Sequence, residues 1–335
     1  MTSEPLQPAE AGAVGDAVGD LAGAGGAVGV ERVWRPGWAV PVHLNLSLLR
    51  RGGGDPSYRH DPVRGTVWRA VASPAGPVTL RLQPRPAAGE VVATAWGPGS
   101  AWALDAVPAM LGADDVVDGF EPRHDVVAQA WRRTSGWRVC RTGLVIEALA
   151  PAAVEQLVTG QEAFGSWRRL VRRFGTPAPG PGAALGMVVP PTARVWAGLP
   201  SWEWLRAGVD GKRSATVVRA CRVAGRLEET VGLPTAEAER RLRAVPGVGV
   251  WTAAEVRQRA HGDPDAVSFG DYHVAKDIGW ALTGSPVDDD GLAELLEPYR
   301  GHRFRVQRLV ELCGTRQPRH GPRMGPRRHL PGRVG

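Results

Sequence analysis

The sequence predicts an α+β protein: a small antiparallel sheet domain in the N-terminal third, then helices to near the end of the chain. Two observations carry this. Between residues 34 and 97 apolar and polar residues alternate in short runs separated by Gly, Pro and Asp, the pattern of half-buried strands. After Phe120 the apolar residues recur at helical spacing between capping and breaking residues.

Residues 1–33 are rich in Gly, Ala and Val in near repeats, as in Ala11-Gly12-Ala13-Val14-Gly15-Asp16, and are expected to be a disordered leader. Residues 34–121 form the sheet domain. Val42, Leu44, Leu46 and Leu48 alternate with His43, Asn45 and Ser47, and Val78, Leu80 and Leu82 alternate with Thr79 and Arg81. Residues 66–71 and 90–96 are further strands, Arg51-Gly52-Gly53-Gly54-Asp55-Pro56 is a turn, and residues 101–111 are a helix. Residues 122–313 are helical, over 124–134, 145–159, 162–174, 193–196, 202–207, 212–228, 235–245, 252–261, 271–282, 290–297 and 303–312. Breaks fall at Pro177 to Gly182, at Leu233-Pro234-Thr235 and at Gly262-Asp263-Pro264, and Asp288-Asp289-Asp290 reads as a helix start with acids in its first turn. Residues 314–335 are a basic tail, expected to be disordered.

With 43% hydrophobic and 22% charged residues the 335-residue chain reads as a soluble globular protein, with no apolar run of membrane-spanning length. Glu4, Glu10 and Asp16 do not suit a secretory signal, and three scattered cysteines, Cys140, Cys221 and Cys313, imply a reducing cytoplasm. Their spacing excludes a cysteine-ligated iron–sulfur cluster or zinc knuckle within the chain, and the histidines show no metal-ligand spacing. The net charge of +7 resides mostly in the tail: Arg316, Arg319, Arg323, Arg327, Arg328 and Arg333 leave the body near about +1. Lysine is scarce, with only Lys212 and Lys276.

The most informative stretch is Leu242-Arg243-Ala244-Val245-Pro246-Gly247-Val248-Gly249-Val250-Trp251-Thr252-Ala253, followed by Phe269-Gly270-Asp271-Tyr272-His273. A helix reaches a Pro-Gly-Val-Gly turn and a second helix starts at once, so unpaired N–H groups and a positive dipole end lie beside a turn a phosphate can approach. Asp271 then sets a carboxylate near that anchored strand. Each part alone has an ordinary reading: the turn is a common link between helices, and an Asp in this position commonly caps a helix. The ordered combination is much rarer than its parts.

Residues 242–273 resemble the helix-hairpin-helix and Gly/Pro-rich-loop-plus-Asp (HhH-GPD) signature of the base-excision DNA glycosylase superfamily. The Gly249-Val250-Trp251-Thr252-Ala253 form is similar to the alkylation-repair branch, DNA-3-methyladenine glycosylase II. The resemblance extends through Arg141-Thr142-Gly143-Leu144-Val145-Ile146-Glu147, Glu155-Gln156-Leu157-Val158-Thr159 and Phe174-Gly175-Thr176-Pro177 to Pro298-Tyr299-Arg300-Gly301-His302, covering roughly residues 34–313.

The resemblance implies two helical subdomains with the active cleft between them. It implies a monofunctional enzyme that hydrolyses the N-glycosidic bond of flipped-out alkylated purines in duplex DNA and leaves an abasic site, without strand cleavage. Asp271 is the implied catalytic carboxylate. Trp251, which stands where bifunctional members carry a lysine, lines the base pocket or belongs to the core. Leu157 is the wedge that fills the gap left by the base; without the resemblance it reads as a core leucine. Gln156 faces the opposite strand or caps a carbonyl. Pro246, Gly247, Val248, Gly249 and Thr252 grip the DNA backbone. Close relatives of this branch carry aromatics where Glu255 and Arg308 stand, which puts the range of bases in doubt; Trp131, Trp137, Trp167 and Trp280 are candidate replacements. No cofactor is implied beyond a monovalent cation on hairpin carbonyls. The expected partner is double-stranded DNA with damaged bases, and the protein is expected to be a cytoplasmic monomer without membrane contact. Two alternatives stand beside this reading: a non-catalytic hairpin protein that only holds DNA, and a glycosylase for another damaged base.

Overall fold

The computed structural model describes residues 18–22 and 28–318. Six antiparallel strands form one sheet, β1 (Val18–Ala22), β2 (Val28–Trp34), β3 (Tyr58–Asp61), β4 (Thr66–Ser73), β5 (Gly76–Arg85) and β6 (Glu90–Trp96), in the order β1-β2-β6-β5-β4-β3. The sheet therefore starts inside the span expected to be a disordered leader. Val30, Val33 and Trp34 supply strand-forming side chains, and Val30 to Trp34 pair in register with Ala95 to Val91 of β6. The rest of the leader (residues 1–17 and 23–27) and residues 319–335 of the basic tail lie outside the described residues.

A second correction concerns residues 42–48, expected as a strand. They form helix α1 (Val42–Leu46) and a 3-10 turn, Ser47–Leu49. Val42, Asn45 and Leu46 are the buried residues of α1, an i, i+3, i+4 set, and the Asn45 amide donates to the Leu111 carbonyl at 2.8 Å. A run rich in leucine satisfies either period, and tertiary packing decided for the helix. The expected helix at 101–111 is present as α2 (Ser100–Met110). It packs Ala103, Leu104, Val107 and Met110 with Val71, Val78, Leu80 and Leu82 of the sheet into one core.

Helices follow: α3 (Asp125–Arg133), α4 (Val145–Glu155), α5 (Gly160–Phe174), α6 (Pro181–Ala184), α7 (Ala193–Gly198), α8 (Ser201–Arg206), α9 (Gly211–Arg222), α10 (Ala224–Glu228), α11 (Thr235–Arg243), α12 (Val250–Val256), α13 (Val274–Thr283), α14 (Asp289–Leu296) and α15 (Arg303–Cys313). A short ladder of β7 (Thr176–Pro177) and β8 (Val188–Val189) interrupts them, the one departure from all-helical structure after Phe120 among the described residues. Their starts follow the expected chemistry. Thr159 and Glu162 form a capping box on α5, Asp210 caps α9, and Asp288 caps α14 through the Gly291 N–H. The start of α4 is fixed by Glu228, whose carboxylate accepts the Val145 and Ile146 N–H groups at 2.7 and 2.9 Å.

The helices divide into two cores. One joins α4, α5 and α7 to α12, with Leu149, Trp167, Trp196, Trp204, Leu242 and Val256 at its centre. The other joins α3 with α13, α14 and α15 through Val127, Ile278, Leu292, Leu296, Phe304 and Leu309. The hairpin turn belongs to the first core and the helix after Asp271 to the second, so the site lies where the two meet. Among the described residues no helix is long and apolar enough to cross a membrane.

Candidate active site

The turn between α11 and α12 is held from beneath. Gly247 has φ +96°, and a Cβ there would overlap the Thr216 side chain of α9, so glycine is demanded twice over. Arg219 donates to the Pro246 carbonyl at 3.0 Å. The Gln156 amide donates to the Gly247 carbonyl at 3.0 Å and the Thr252 hydroxyl at 2.8 Å. Val248 and Thr252 are buried. Gln156 thus ties the α4–α5 loop to the hairpin, the capping alternative of its two readings. The carbonyls of Val245, Pro246 and Gly247 accept from Val248, Arg219 and Gln156, one hydrogen bond each.

The other side of the turn is open. Pro246, Gly247, Gly249 and Val250 are exposed. No side chain caps α12, and nothing in the protein lies within 4 Å of a Cβ built on Gly249. The first N–H groups of a helix have no intrahelical acceptors, so this side offers donors and clearance to an anionic group.

Asp271 lies in a turn closed by its own N–H on the Ser268 carbonyl at 3.2 Å. Its Oδ1 accepts the N–H groups of His273 (2.8 Å) and Val274 (3.2 Å) at the start of α13, one turn later than the helix start expected at Asp271. Its Oδ2 accepts the indole N–H of Trp251 at 3.2 Å. The carboxylate is therefore a helix cap and, on its second oxygen, the partner of the hairpin tryptophan. Both residues are half-buried, which leaves Trp251 at a rim rather than in the core.

Leu157 is 95% exposed and has φ +55°, the only non-glycine residue in the left-handed region among the described residues. A leucine kept in that conformation and in water is unfavourable twice, by backbone strain and by lost burial. It stands beside Gln156, which touches the hairpin. The core reading of this leucine is excluded.

Sequence reasoning missed Tyr272. It is 75% exposed beside Asp271, with the Lys276 ammonium 3.9 Å from its ring centre. Its only sequence signal was an aromatic next to the singled-out aspartate.

Glu255, one turn along α12 from Trp251, is buried rather than left facing a void. One oxygen pairs with Arg259 at 2.7 Å and the other accepts the Ser268 hydroxyl at 2.8 Å. Arg308 donates to Glu311 (2.9 Å) and to the Ser47 hydroxyl (2.7 Å), and Gln307 exchanges hydrogen bonds with Ser268. An ionic, hydrogen-bonded wall thus adjoins the Asp271 turn. Of the candidate replacement tryptophans, Trp137 and Trp167 are core residues with 2% and 4% exposure, which removes them as base-stacking surfaces. Trp131 and Trp280 are half-buried, and Trp131 packs edge-on against Phe120.

Among the described residues, no group of three or more His, Cys, Asp or Glu is arranged to hold a metal ion. Glu155, the last residue of α4, pairs with Arg51 of the sheet domain at 3.0 Å, and burial pushes its carboxyl above the usual carboxylate range despite Arg51 and Arg259 nearby.

The fold is one found in solved DNA glycosylases. No protein-family model matches the chain, and no curated protein is detectably similar to it in sequence. Solved structures are. The 3-methyladenine DNA-glycosylase of Archaeoglobus fulgidus superposes with a TM-score of 0.66 at 16% identity, covering 83% of this chain and 96% of that one. The 8-oxoguanine glycosylase/lyase of Clostridium acetobutylicum, in its apo form, gives 0.62 at 12% identity over 88% and 97%. The same enzyme with double-stranded DNA containing cytosine opposite 8-oxoG gives 0.61 at 12% identity over 89% and 98%. At these identities the likeness establishes the fold.

Proposed function

We propose that the chain is a monofunctional DNA glycosylase that releases damaged bases, alkylated purines first among them, from duplex DNA in base excision repair. The observation that carries this reading is the meeting of Asp271 with Trp251 at the open end of the hairpin, next to a strained and exposed leucine. A protein that merely held DNA would need the turn but not a strained, exposed leucine beside it.

In this reading Gly249 and the start of α12 bind a backbone phosphate, with Pro246, Gly247, Val248 and Thr252 forming the turn that presents it. The target nucleotide turns out of the stack and Leu157 fills its place. The bond from C1′ to the base nitrogen breaks, and its electron pair leaves with the base. The Asp271 carboxylate stabilises the positive sugar and orients the water that adds to C1′, whose surplus proton passes to solvent. Alkylated purines that already carry positive charge leave without a dedicated acid. Trp251 stands where a Schiff-base lysine would be required, which supports hydrolysis without strand cleavage.

A second reading, a glycosylase for a different damaged base, draws on the wall of Glu255, Arg259 and Arg308. Paired ions and amides favour a base recognised by hydrogen bonds along its edge over one held by stacking alone. It also accords with the fold being shared by both a 3-methyladenine and an 8-oxoguanine enzyme.

The test is base release from duplexes carrying methylated purines, 8-oxoguanine or hypoxanthine, with the Asp271→Asn protein as control. Release of methylated purines that vanishes in the variant, with abasic sites and intact strands, supports the first reading. Release confined to another base selects the second. Tight binding with no release from any duplex would leave a DNA-holding protein.

A further inference from the structure

The strained loop that carries Leu157 is braced from outside the helical domain. We propose that the sheet domain is the abutment of this wedge, with Arg51 as the positioning residue; the inference rests on the reading of Leu157 as the wedge.

Residues 51–55 reach both helices that flank Leu157. On one side the Arg51 guanidinium meets Glu155, the last residue of α4, at 3.0 Å, and the Arg51 side chain is only 6% exposed. On the other side Gly52, with φ +77°, comes so near α5 that a Cβ would lie 2.8 Å from the Phe164 ring, and a Cβ on Gly54 would overlap the Arg168 guanidinium. The loop is itself stiff. The buried Asp55 carboxylate accepts the Arg51 N–H at 2.7 Å and the Ser57 N–H and hydroxyl at 2.9 and 2.7 Å. The Pro56 carbonyl accepts the Val188 N–H at 2.9 Å, which fastens the loop to β8.

A residue held in the left-handed region stays there only where its surroundings over-determine it. Gln156 supplies one anchor, to the hairpin. The other anchor is the pair of contacts at the loop's two ends, both made by the sheet domain. When a leucine enters a base stack, the duplex presses back along the loop, and α4 and α5 transmit that load to Arg51 and the glycines. Three consecutive glycines fit this role, since two of them mark close approaches that a side chain would prevent.

The experiment uses the full chain and a duplex with a tetrahydrofuran abasic site beside a stacked 2-aminopurine, whose fluorescence changes when a side chain enters the gap. The proteins are wild type, Leu157→Ala, Arg51→Met and the double variant Arg51→Met/Glu155→Met. The double variant replaces a buried ion pair by apolar groups, a change that often preserves stability, whereas Arg51→Met alone strands a buried carboxylate. At saturating protein the double variant should bind DNA yet lose most of the fluorescence change. A full change in the double variant overturns the abutment, since a merely structural pair would leave insertion intact. Should the double variant fail to fold, Gly52→Ala decides, because its methyl group meets the rigid Phe164 ring of α5 from a left-handed backbone position and must shift the contact; an undiminished change in a folded Gly52→Ala protein equally overturns the proposal. If Leu157→Ala retains the full change, the wedge reading itself falls, a different failure from loss in Leu157→Ala with retention in the double variant.

Discussion

The two sides of the hairpin turn follow opposite rules. On the inner side the turn is packed and bonded: the inner face of Gly247 lies against Thr216, its carbonyl accepts from Gln156, and Val248 and Thr252 are buried. On the outer side Gly249 has clearance, α12 has no cap, Leu157 projects into water with a strained backbone, and Tyr272 is exposed. Stability explains the first set. It does not explain the second: Leu157 is both strained and exposed, and the clearance at Gly249 serves no contact within the protein. Residues kept against stability are kept for something outside the chain.

The contrast is broken or sharpened by substitutions on each side. The largest effect is expected from Asp271→Asn, which retains the cap on α13 and so the fold, while base release falls by roughly 100-fold to 1,000-fold, as when one charge-stabilising group is lost from a preorganised site; single-turnover release and thermal melting read both. Gly247→Ala should destabilise the protein by about 1–3 kcal/mol through its backbone strain, with more from the overlap with Thr216, seen in the urea midpoint. Gly249→Ala should leave stability within about 0.5 kcal/mol yet weaken duplex binding by about tenfold, measured by fluorescence anisotropy. If the two alanines behave alike, the division between the sides is wrong. Leu157→Gly should raise stability by about 1 kcal/mol, through relief of the left-handed strain, while slowing release from duplex DNA. A gain in stability joined to a loss of activity is the signature of an outer-side residue.

The smallest effect near neutral pH comes from the interior. Burial holds His261 at about 4, below its ordinary 6.5, so the unfolded chain binds the extra proton first. Stability should then be level above about pH 6.5 and decline as the pH falls from there towards 4. His261→Gln should flatten that decline in melting curves across this range.

Much of this was legible in the sequence because it depends on local chemistry. The Pro246 to Gly249 turn, the caps at Thr159, Asp210 and Asp288, and the strands at 66–73 and 90–96 are written in turn residues and short periods. Asp271 was singled out by its place in an ordered motif; its carboxylate accepts the N–H groups of His273 and Val274 from two residues before the N-cap position, which is His273. Long-range facts were hidden. The turn of residues 42–46 into a helix depends on burial of Asn45 against Leu111, and the pairing of Val30 to Trp34 depends on β6 some sixty residues later. The role of Gln156 as a tie to the hairpin, the pairing of Glu255 with Arg259, and the exposure of Leu157 are likewise properties of assembled helices.

The helix at Asp125–Arg133 packs with the last three helices of the chain, alongside Trp137 and Val139. Synthesis meets this as a delay. When residue 262 leaves the ribosome, the sheet, the Leu157 loop and the hairpin are all present, while Val127 and Ala130 still await the helices that cover them. Asp271 and its cap come later, and the core that holds α13 closes only with Phe304 to Val310. A nascent or prematurely ended chain would thus hold the hairpin turn in place before the segment that carries Asp271.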